Sequence, residues 1–288
     1  MKFIKTLFLV LLFSPLIYCQ ENNNQLFCSK DSQIFGEKIS LAKKNNLHTK
    51  NINEIIESIG KSFIGTNYVA NTLENSDTEK PIFCLDALDC YTFVEATLSL
   101  SRIIKNNKSS IDDYIAEIEN IRYRDGQING YPSRLHYFSD WIYEMNKRGI
   151  CEDITKKIGG MIYSNNVDYM STHPNSYKHL KSNPENVKAL AETEKVISQR
   201  RYYYIPQERI ALLENKIESG DIIGITTNVD GLDIAHTGLA IKMNSGRIHF
   251  LHAPNVGFKV EITKKPLSEY VKGNKKQTGI MVVRPINP

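Results

Sequence analysis

The sequence predicts an α+β fold, and three observations carry that reading. Apolar residues recur at helical spacing through residues 53–198. From Asp221 onward the apolar period shortens to that of strands. Asn244-Ser245-Gly246 joins two of those strands as a hairpin connection, which makes the pairing antiparallel. Helices first and antiparallel strands last is an α+β layout. The composition agrees with a folded chain. The 288 residues are 41% hydrophobic and 24% charged, which excludes wholesale disorder. Only 16 Gly and 10 Pro exclude collagen-like or low-complexity chains. The formal net charge is 36 − 32 = +4 with no basic stripe interleaved with aromatics, so no nucleic-acid partner is expected.

The first residues are not part of that fold. Lys2 and Lys5 give a basic start, and residues 7–18 are apolar except for Ser14 and Pro15. That run is too short to cross a bilayer and fits a secretory signal peptide over residues 1–19. The mature chain is then expected to be periplasmic, extracellular or tied to the envelope. Leu16-Ile17-Tyr18-Cys19 also resembles a lipoprotein signal, which would make Cys19 an N-terminal lipid anchor. Tyr18 departs from the small residue such signals carry. No later segment is apolar enough to span a membrane.

Residues 20–50 are polar and Asn/Lys-rich, and read as an irregular or lightly helical lead-in. Ile55, Ile56, Ile59 and Phe63 mark a helix over 53–63, broken by Gly65-Thr66-Asn67. Phe93, Val94, Thr97 and Leu98 mark a second over 90–104. Further helices are expected over 112–123, over 137–148 with Gly149 as the stop, and over 183–198 after Asn183-Pro184. Strands follow at 222–227, 237–243, 247–251 and 279–283. No internal repeat is present. The sheet-rich end, about 201–288, covers less than a third of the chain and cannot fold without the helices. The expectation is therefore one catalytic domain over 51–288, with a helical insertion over about 106–200.

Chemistry concentrates at Leu88-Asp89-Cys90-Tyr91-Thr92-Phe93. A cysteine in the first turn of a helix meets exposed N–H groups and the positive dipole end, which favour thiolate. Asp89 is placed as the N-cap. The structural alternative is a buried cysteine or half of a disulfide. Export implies an oxidising compartment, and no spacing among the five cysteines matches a zinc site. With Cys90 as a nucleophile, at most one disulfide forms among Cys28, Cys84 and Cys151. Of seven histidines, His48, His173 and His179 lie in polar stretches and read as solvated. His236 stands at the entrance of a strand. Gly238 after it permits close backbone approach.

These segments come in an order that resembles the N-acetylmuramoyl-L-alanine amidase-like family, a branch of the NlpC-type papain-like peptidases that cut bacterial cell-wall peptides. The likeness runs through Gly65-Thr66-Asn67-Tyr68-Val69-Ala70-Asn71-Thr72-Leu73-Glu74 and Leu88-Asp89-Cys90-Tyr91-Thr92-Phe93-Val94-Glu95. It continues through Ser133-Arg134-Leu135-His136-Tyr137-Phe138-Ser139-Asp140-Trp141-Ile142, Gly220-Asp221-Ile222-Ile223, Asp233-Ile234-Ala235-His236-Thr237-Gly238 and Leu251-His252-Ala253. Each segment alone is weak; their order is specific. Asn67 and Asn71 depart from the pattern, where Pro and Gly are expected. That is expected to loosen the loop holding Tyr68.

The resemblance implies a papain-like NlpC-type core, with the nucleophile at a helix N-terminus packed on an antiparallel sheet. It makes Cys90 the nucleophile, His236 the general base and His252 the residue orienting that base. The Cys90 N–H and the Tyr68 hydroxyl would bind the oxyanion. Asp89 is either a substrate-side carboxylate recognising an amine or only a cap. Arg134 is either a bidentate grip on a peptide carboxylate or a surface fork, and His136 is a weaker substrate contact. Trp141 and Tyr202-Tyr203-Tyr204 read as core or groove wall. The implied function is a secreted cysteine amidase acting on peptidoglycan or muropeptides. It needs no cofactor or metal and cuts the muramic lactyl–L-Ala amide. The alternatives are an endopeptidase cutting between D-Glu and the diamino acid, a zinc amidase built on Asp233, His236 and His252, and a catalytically dead wall-binding module.

Hairpin register separates His252 from Asn255 as the partner of His236. A three-residue loop with Gly246 left-handed pairs 243 with 247 and puts His252 diagonal to His236 on one face. A two-residue loop would slip the register by one and bring Asn255 opposite instead.

Overall fold

The computed structural model describes residues 19–22, 25–28 and 30–288, with side chains described from residue 30 onward. The expected signal segment lies outside the described residues as far as residue 18, and so does the Cys19 side chain expected to carry the lipid anchor. Among the described residues, no helix is long and apolar enough to cross a membrane.

Five helices build one side of the molecule: α1 (Asp31–Lys44), α2 (Ile52–Ser62), α3 (Cys90–Lys105), α4 (Ile111–Arg122) and α5 (Phe138–Lys147). The lead-in is thus more ordered than its composition suggests. Helix α1 buries Phe35, Ile39 and Ala42 on one stripe, with Asp31 in its first turn and Lys43 and Lys44 in its last. Helix α2 starts at a capping box, Asn51 with Glu54, and turns Ile52, Ile55, Ile56 and Ile59 inward. Ser110 caps α4 by accepting from Asp113 N–H. Helix α3 is buried on nearly all sides from Thr92 to Ile104.

The helices pack on an eight-stranded antiparallel sheet. Its order is Glu261–Ile262, Ile248–His252, Ile234–Lys242, Ile222–Thr227, Gln277–Pro285, Tyr202–Pro206 and Met161–Tyr163, with Cys151–Asp153 paired to the far end of Gln277–Pro285. Alternation divides each central strand between two cores. Ile222, Leu239, Ile241, Leu251, Met281 and Val283 face α1–α5. Ile223, Ile225, Ala240, Phe250, Ile280 and Val282 face the other way, with Ile210 and Leu267 from the helices Gln207–Leu213 and Leu267–Lys272. A separate cluster of Tyr131, Tyr137, Val167, Met170, Leu180, Leu190 and Ile197 organises residues 131–197.

Among the elements beyond the sequence expectation are the strands Cys151–Asp153, Met161–Tyr163 and Tyr202–Pro206 and the helices Gln207–Leu213 and Leu267–Lys272. The strand expected at 237–243 also starts earlier, at Ile234, so His236 lies inside it and not before it. The hairpin has the expected register. Lys242 pairs with Ile248, Ile241 with His249, Ala240 with Phe250 and Leu239 with Leu251. Gly246 is left-handed at φ 81°, and its N–H donates to the Met243 carbonyl at 2.8 Å.

Candidate active site

The site forms where the start of α3 meets the Ile234–Lys242 strand. Asp89 caps α3. Its Oδ1 accepts from Tyr91 N–H at 3.0 Å, Thr92 N–H at 2.7 Å and the Thr92 hydroxyl at 2.8 Å. Asp89 N–H donates back to Thr92 Oγ1 at 2.9 Å, which completes a capping box. This fixes the first turn and aims Cys90, the first helical residue, at the sheet. Asp89 also borders a second cavity of about 200 Å³.

The thiol is not the thiolate expected from its helix-start position. Burial, then the Asp89 carboxylate, push Cys90 up to about 12. The N–H groups of Thr237, Cys90 and Tyr91 oppose that rise and are outweighed. Thr237 directly follows His236, so the strand brings its backbone N–H and the imidazole to the same place. Burial alone pulls His236 down to about 4. At neutral pH the resting pair is therefore a neutral thiol and a neutral imidazole.

His236 and Cys90 line one cavity of about 500 Å³. His236 Nε2 lies 2.7 Å from His252 Nδ1, with ring centroids 4.9 Å apart and nearly perpendicular. That engagement leaves His236 Nδ1 as the nitrogen available to a thiol. His252 is buried at 1% exposure, between Phe250 at 4.8 Å and Tyr270 at 5.2 Å, and burial lowers it to about 3. Gly238 is required here. A Cβ on it would meet the Leu251 carbonyl at 2.6 Å and His252 Cβ at 2.9 Å. Asn255 is exposed in the loop beyond the strand.

Tyr68 reaches the site through a short strand. Asn67–Tyr68 pairs in parallel with Ala87–Leu88, which places Tyr68 level with Leu88, just before Asp89. Burial, then the charges of Cys90 and Asp89, raise its hydroxyl to about 12, so it stays a donor. The loop is not loosened at the two departures from the family pattern. Asn71 sits left-handed at φ 61°, a conformation Asn tolerates almost as Gly does. Tyr68 N–H donates to the Phe258 carbonyl at 2.8 Å, and Val69 N–H to Leu88 at 3.2 Å.

Arg134 is committed to the protein itself. Only 8% exposed, its Nε and Nη2 reach the two oxygens of Glu79 at 2.9 and 2.8 Å, and its Nη1 reaches Glu74 at 2.6 Å. It is no surface fork, and a substrate carboxylate would have to displace one of those partners. His136 borders both cavities. Its Nε2 donates to the Tyr131 carbonyl at 3.0 Å, leaving Nδ1 as an acceptor. Burial, then Arg134, lower it to about 3.

His179 differs from its expected solvation. Its ring stacks on Tyr131 at 4.8 Å and lies 3.5 Å from Glu74. Beside it, Lys178 pairs with Asp77 at 2.9 Å. These contacts bring residues 174–179 over the cavity, where Tyr177 and Lys178 form wall that sequence reading missed. Only their place on the insertion hinted at it. Trp141 is core, stacked on Phe138 at 5.4 Å.

Asp233 does not join the two histidines as a metal ligand. Its Oδ2 accepts from Ser139 N–H at 2.6 Å and its Oδ1 from Ile234 N–H at 2.8 Å. It thereby caps α5, whose own N-cap, Tyr137, offers no side-chain bond. Among the described residues, the grouped ligand atoms are those of Asp31, Cys84 and Asp86, and Cys84 is disulfide-bonded. Cys90 and Cys151 are free.

Comparison with known proteins gives the family of the chain. The N-acetylmuramoyl-L-alanine amidase-like family model matches residues 58–280. A solved N-acetylmuramoyl-L-alanine amidase from Bacteroides uniformis ATCC 8492 is 36% identical. The match covers 81% of this chain and 98% of that one, with a TM-score of 0.77. A Bacteroides fragilis protein named provisionally as a xylanase is 42% identical, covering 79% and 99%, with a TM-score of 0.74. A Legionella pneumophila protein, 23% identical over 89% and 95% with a TM-score of 0.67, shares the fold. No curated protein matches the chain. On the extent of the family match and of these likenesses, the chain belongs to the N-acetylmuramoyl-L-alanine amidase-like family.

Proposed function

We propose that the protein is an exported cysteine amidase of peptidoglycan, with an NlpC-type papain-like core, that cuts the amide between the muramic lactyl group and L-Ala. The observation that carries this reading is the His236–His252 pair at 2.7 Å, with His236 lining the same cavity as a free cysteine at a helix start. Cys90 Sγ attacks the lactyl carbonyl carbon as its proton passes to His236 Nδ1. The carbonyl oxygen becomes an oxyanion, held by the Cys90 N–H and the Tyr68 hydroxyl. His236, now imidazolium, protonates the leaving L-Ala nitrogen and the C–N bond breaks. Water, deprotonated by His236, then cleaves the thioester and restores the thiol. His252 accepts from His236 Nε2 and holds the imidazolium in place.

The basic and apolar start of the chain supports export. Intact mass of the secreted protein tests it, with an N-terminus at Cys19 or Gln20 expected and retained residues 1–18 counting against it. An added acyl mass on Cys19 would mark a lipid anchor.

Mass spectrometry of defined muropeptides after digestion tests the reaction. Release of the intact stem peptide from the sugar is expected, and Cys90→Ala should release nothing. Fragments ending at D-Glu would identify an endopeptidase in place of the amidase. No products from the wild type would indicate a wall-binding module.

A further inference from the structure

The 2.7 Å contact between His236 Nε2 and His252 Nδ1 fits two proton arrangements. Both rings are neutral, because burial lowers each below neutral pH. In one arrangement His236 donates from Nε2. His252 then carries its proton on Nε2, and His236 Nδ1 is bare and able to take the Cys90 proton. In the other, His252 donates from Nδ1. His236 then carries its proton on Nδ1 and can accept none there. The first arrangement is catalytic and the second is dead, and the hydrogen bond itself does not choose between them.

The far side of His252 does. Its Nε2 is buried and has no hydrogen-bond partner among the described residues. Phe250 stacks on His252 at 4.8 Å and 26°. Tyr270, on the helix Leu267–Lys272, stands 5.2 Å from His252 at 69°. Phe250 and Tyr270 are themselves 5.7 Å apart. Tyr270 therefore lies beside the imidazole and not over the face opposite Phe250, which would set the two nearly twice as far apart. Rings this close and this steeply inclined cannot meet edge to edge, so an imidazole edge meets the Tyr270 face. Nδ1 is turned to His236, which leaves the edge carrying Nε2 for Tyr270.

A ring face is the negative part of the aromatic quadrupole. It attracts an N–H and repels a bare nitrogen lone pair. We propose that Tyr270 is a positioning residue, whose ring face holds the His252 proton on Nε2 and so keeps His236 Nδ1 bare for the Cys90 proton. Phe250 fixes the plane of the imidazole against that face. The helix bearing Tyr270 is anchored by Leu267 and Val271 in the core behind the sheet, and by Arg247 Nη2, which donates to Ser268 Oγ at 3.0 Å. Tyr270 does not line the large cavity, so it acts through His252 and not on the substrate. The assignment rests on the reading of Cys90 and His236 as nucleophile and base.

Nitrogen-15 spectra of the histidine-labelled protein test it, since they distinguish a bare imidazole nitrogen from a protonated one. In the wild type both rings should show a bare Nδ1 and a protonated Nε2. The His252 Nε2 proton should lie upfield, under the ring current of Tyr270. Tyr270→Leu and Tyr270→Met remove the ring and keep an apolar side chain, and both should move the two imidazoles together toward the Nδ1–H form. Turnover of a muropeptide should fall about fivefold in kcat, the weight of one edge-to-face contact, with KM unchanged. Tyr270→Phe, which keeps the ring face, should restore the spectrum and kcat. A wild type in the Nδ1–H form, or with a downfield Nε2 proton, overturns the proposal; that result needs no variant to fold. Folded truncations with wild-type spectra also overturn it, whatever their turnover, since Tyr270 would then act only as packing. A loss in Tyr270→Phe equal to that in Tyr270→Leu would give the role to the hydroxyl and overturn it as well. A wild type that cleaves no muropeptide defeats the amidase reading alone, because the spectra still decide where the protons lie.

Discussion

His252→Ala tests the catalytic geometry most directly. His252 Nδ1 meets His236 Nε2 at 2.7 Å, and burial keeps both rings neutral at pH 7. In the resting enzyme this is a neutral hydrogen bond, contributing about 1 kcal/mol. Once His236 takes the thiol proton, the same bond becomes charge-assisted and about twice as strong. The difference, about 1 kcal/mol, acts only in the transition state. Truncation also leaves the His236 Nε2–H buried without an acceptor, for about 1–3 kcal/mol more. Only the excess in the charged state slows turnover, about 1–2 kcal/mol in all, or on the order of tenfold in kcat. KM should change little, because His252 does not line the cavity. The catalytic tautomer puts the His252 proton on Nε2, which is buried without a hydrogen-bond partner beside the Tyr270 ring. His252→Asn, whose amide oxygen can accept, should therefore recover part of the loss. Steady-state turnover of a muropeptide, followed by mass spectrometry with a parallel melting curve, gives both parameters. Turnover within threefold of wild type in folded His252→Ala would refute the reasoning. So would a larger loss in Asn255→Ala, since Asn255 is exposed.

Cys90→Ala and Cys90→Ser should both abolish hydrolysis, while Cys151→Ala, at a buried free thiol, should lower the melting temperature and keep activity; activity in either Cys90 variant sinks the mechanism. Iodoacetamide should inactivate the enzyme and EDTA should leave it unaffected; the reverse would restore the zinc reading. Stability should fall on acidification, because His136, His236 and His252 have folded values of about 3, 4 and 3, below an unfolded value near 6.5. Their contribution is full above the unfolded value and is lost as pH falls toward about 3, since the unfolded chain binds the protons first. A melting temperature that stays constant from pH 7 to pH 4.5 would contradict the neutral burial of these rings. Arg134→Met should destabilise the fold by about 3–5 kcal/mol, because it strands the buried Glu79 and the half-buried Glu74. An unchanged melting curve with a raised KM would instead make Arg134 a substrate grip.

Local signals gave the parts of the fold that local physics controls. The isoleucine stripe of α2 acts within a few residues and read directly, while its Asn51–Glu54 box, equally local, was not read from the sequence. Asp89 before Cys90 also read directly as a helix start. The 242–248 register followed from Gly246, because a left-handed turn residue decides which strand positions face each other. The strands at Cys151–Asp153, Met161–Tyr163 and Tyr202–Pro206 were not legible. Each is short, and each takes its strand state from pairing with a distant segment. Helix α1 read only as an irregular or lightly helical lead-in, because its apolar stripe is thin and contact with the core holds it.

The chemistry of the site divides in the same way. The sequence by itself offered Cys90 as a nucleophile from its place at a helix start, and it was the family resemblance that added His236 as base and His252 as its partner. Only the tertiary structure decided their state. The helix start argued for thiolate at Cys90, but burial and the Asp89 charge outweigh the N–H groups there and keep the thiol protonated. Arg134 looked free for a substrate until Glu74 and Glu79, 60 and 55 residues away in sequence, closed on it. Asp233, named only in the zinc alternative, is the cap of α5. Desolvation and charge act through space and depend on what surrounds a group, whereas periodicity and capping act along the chain.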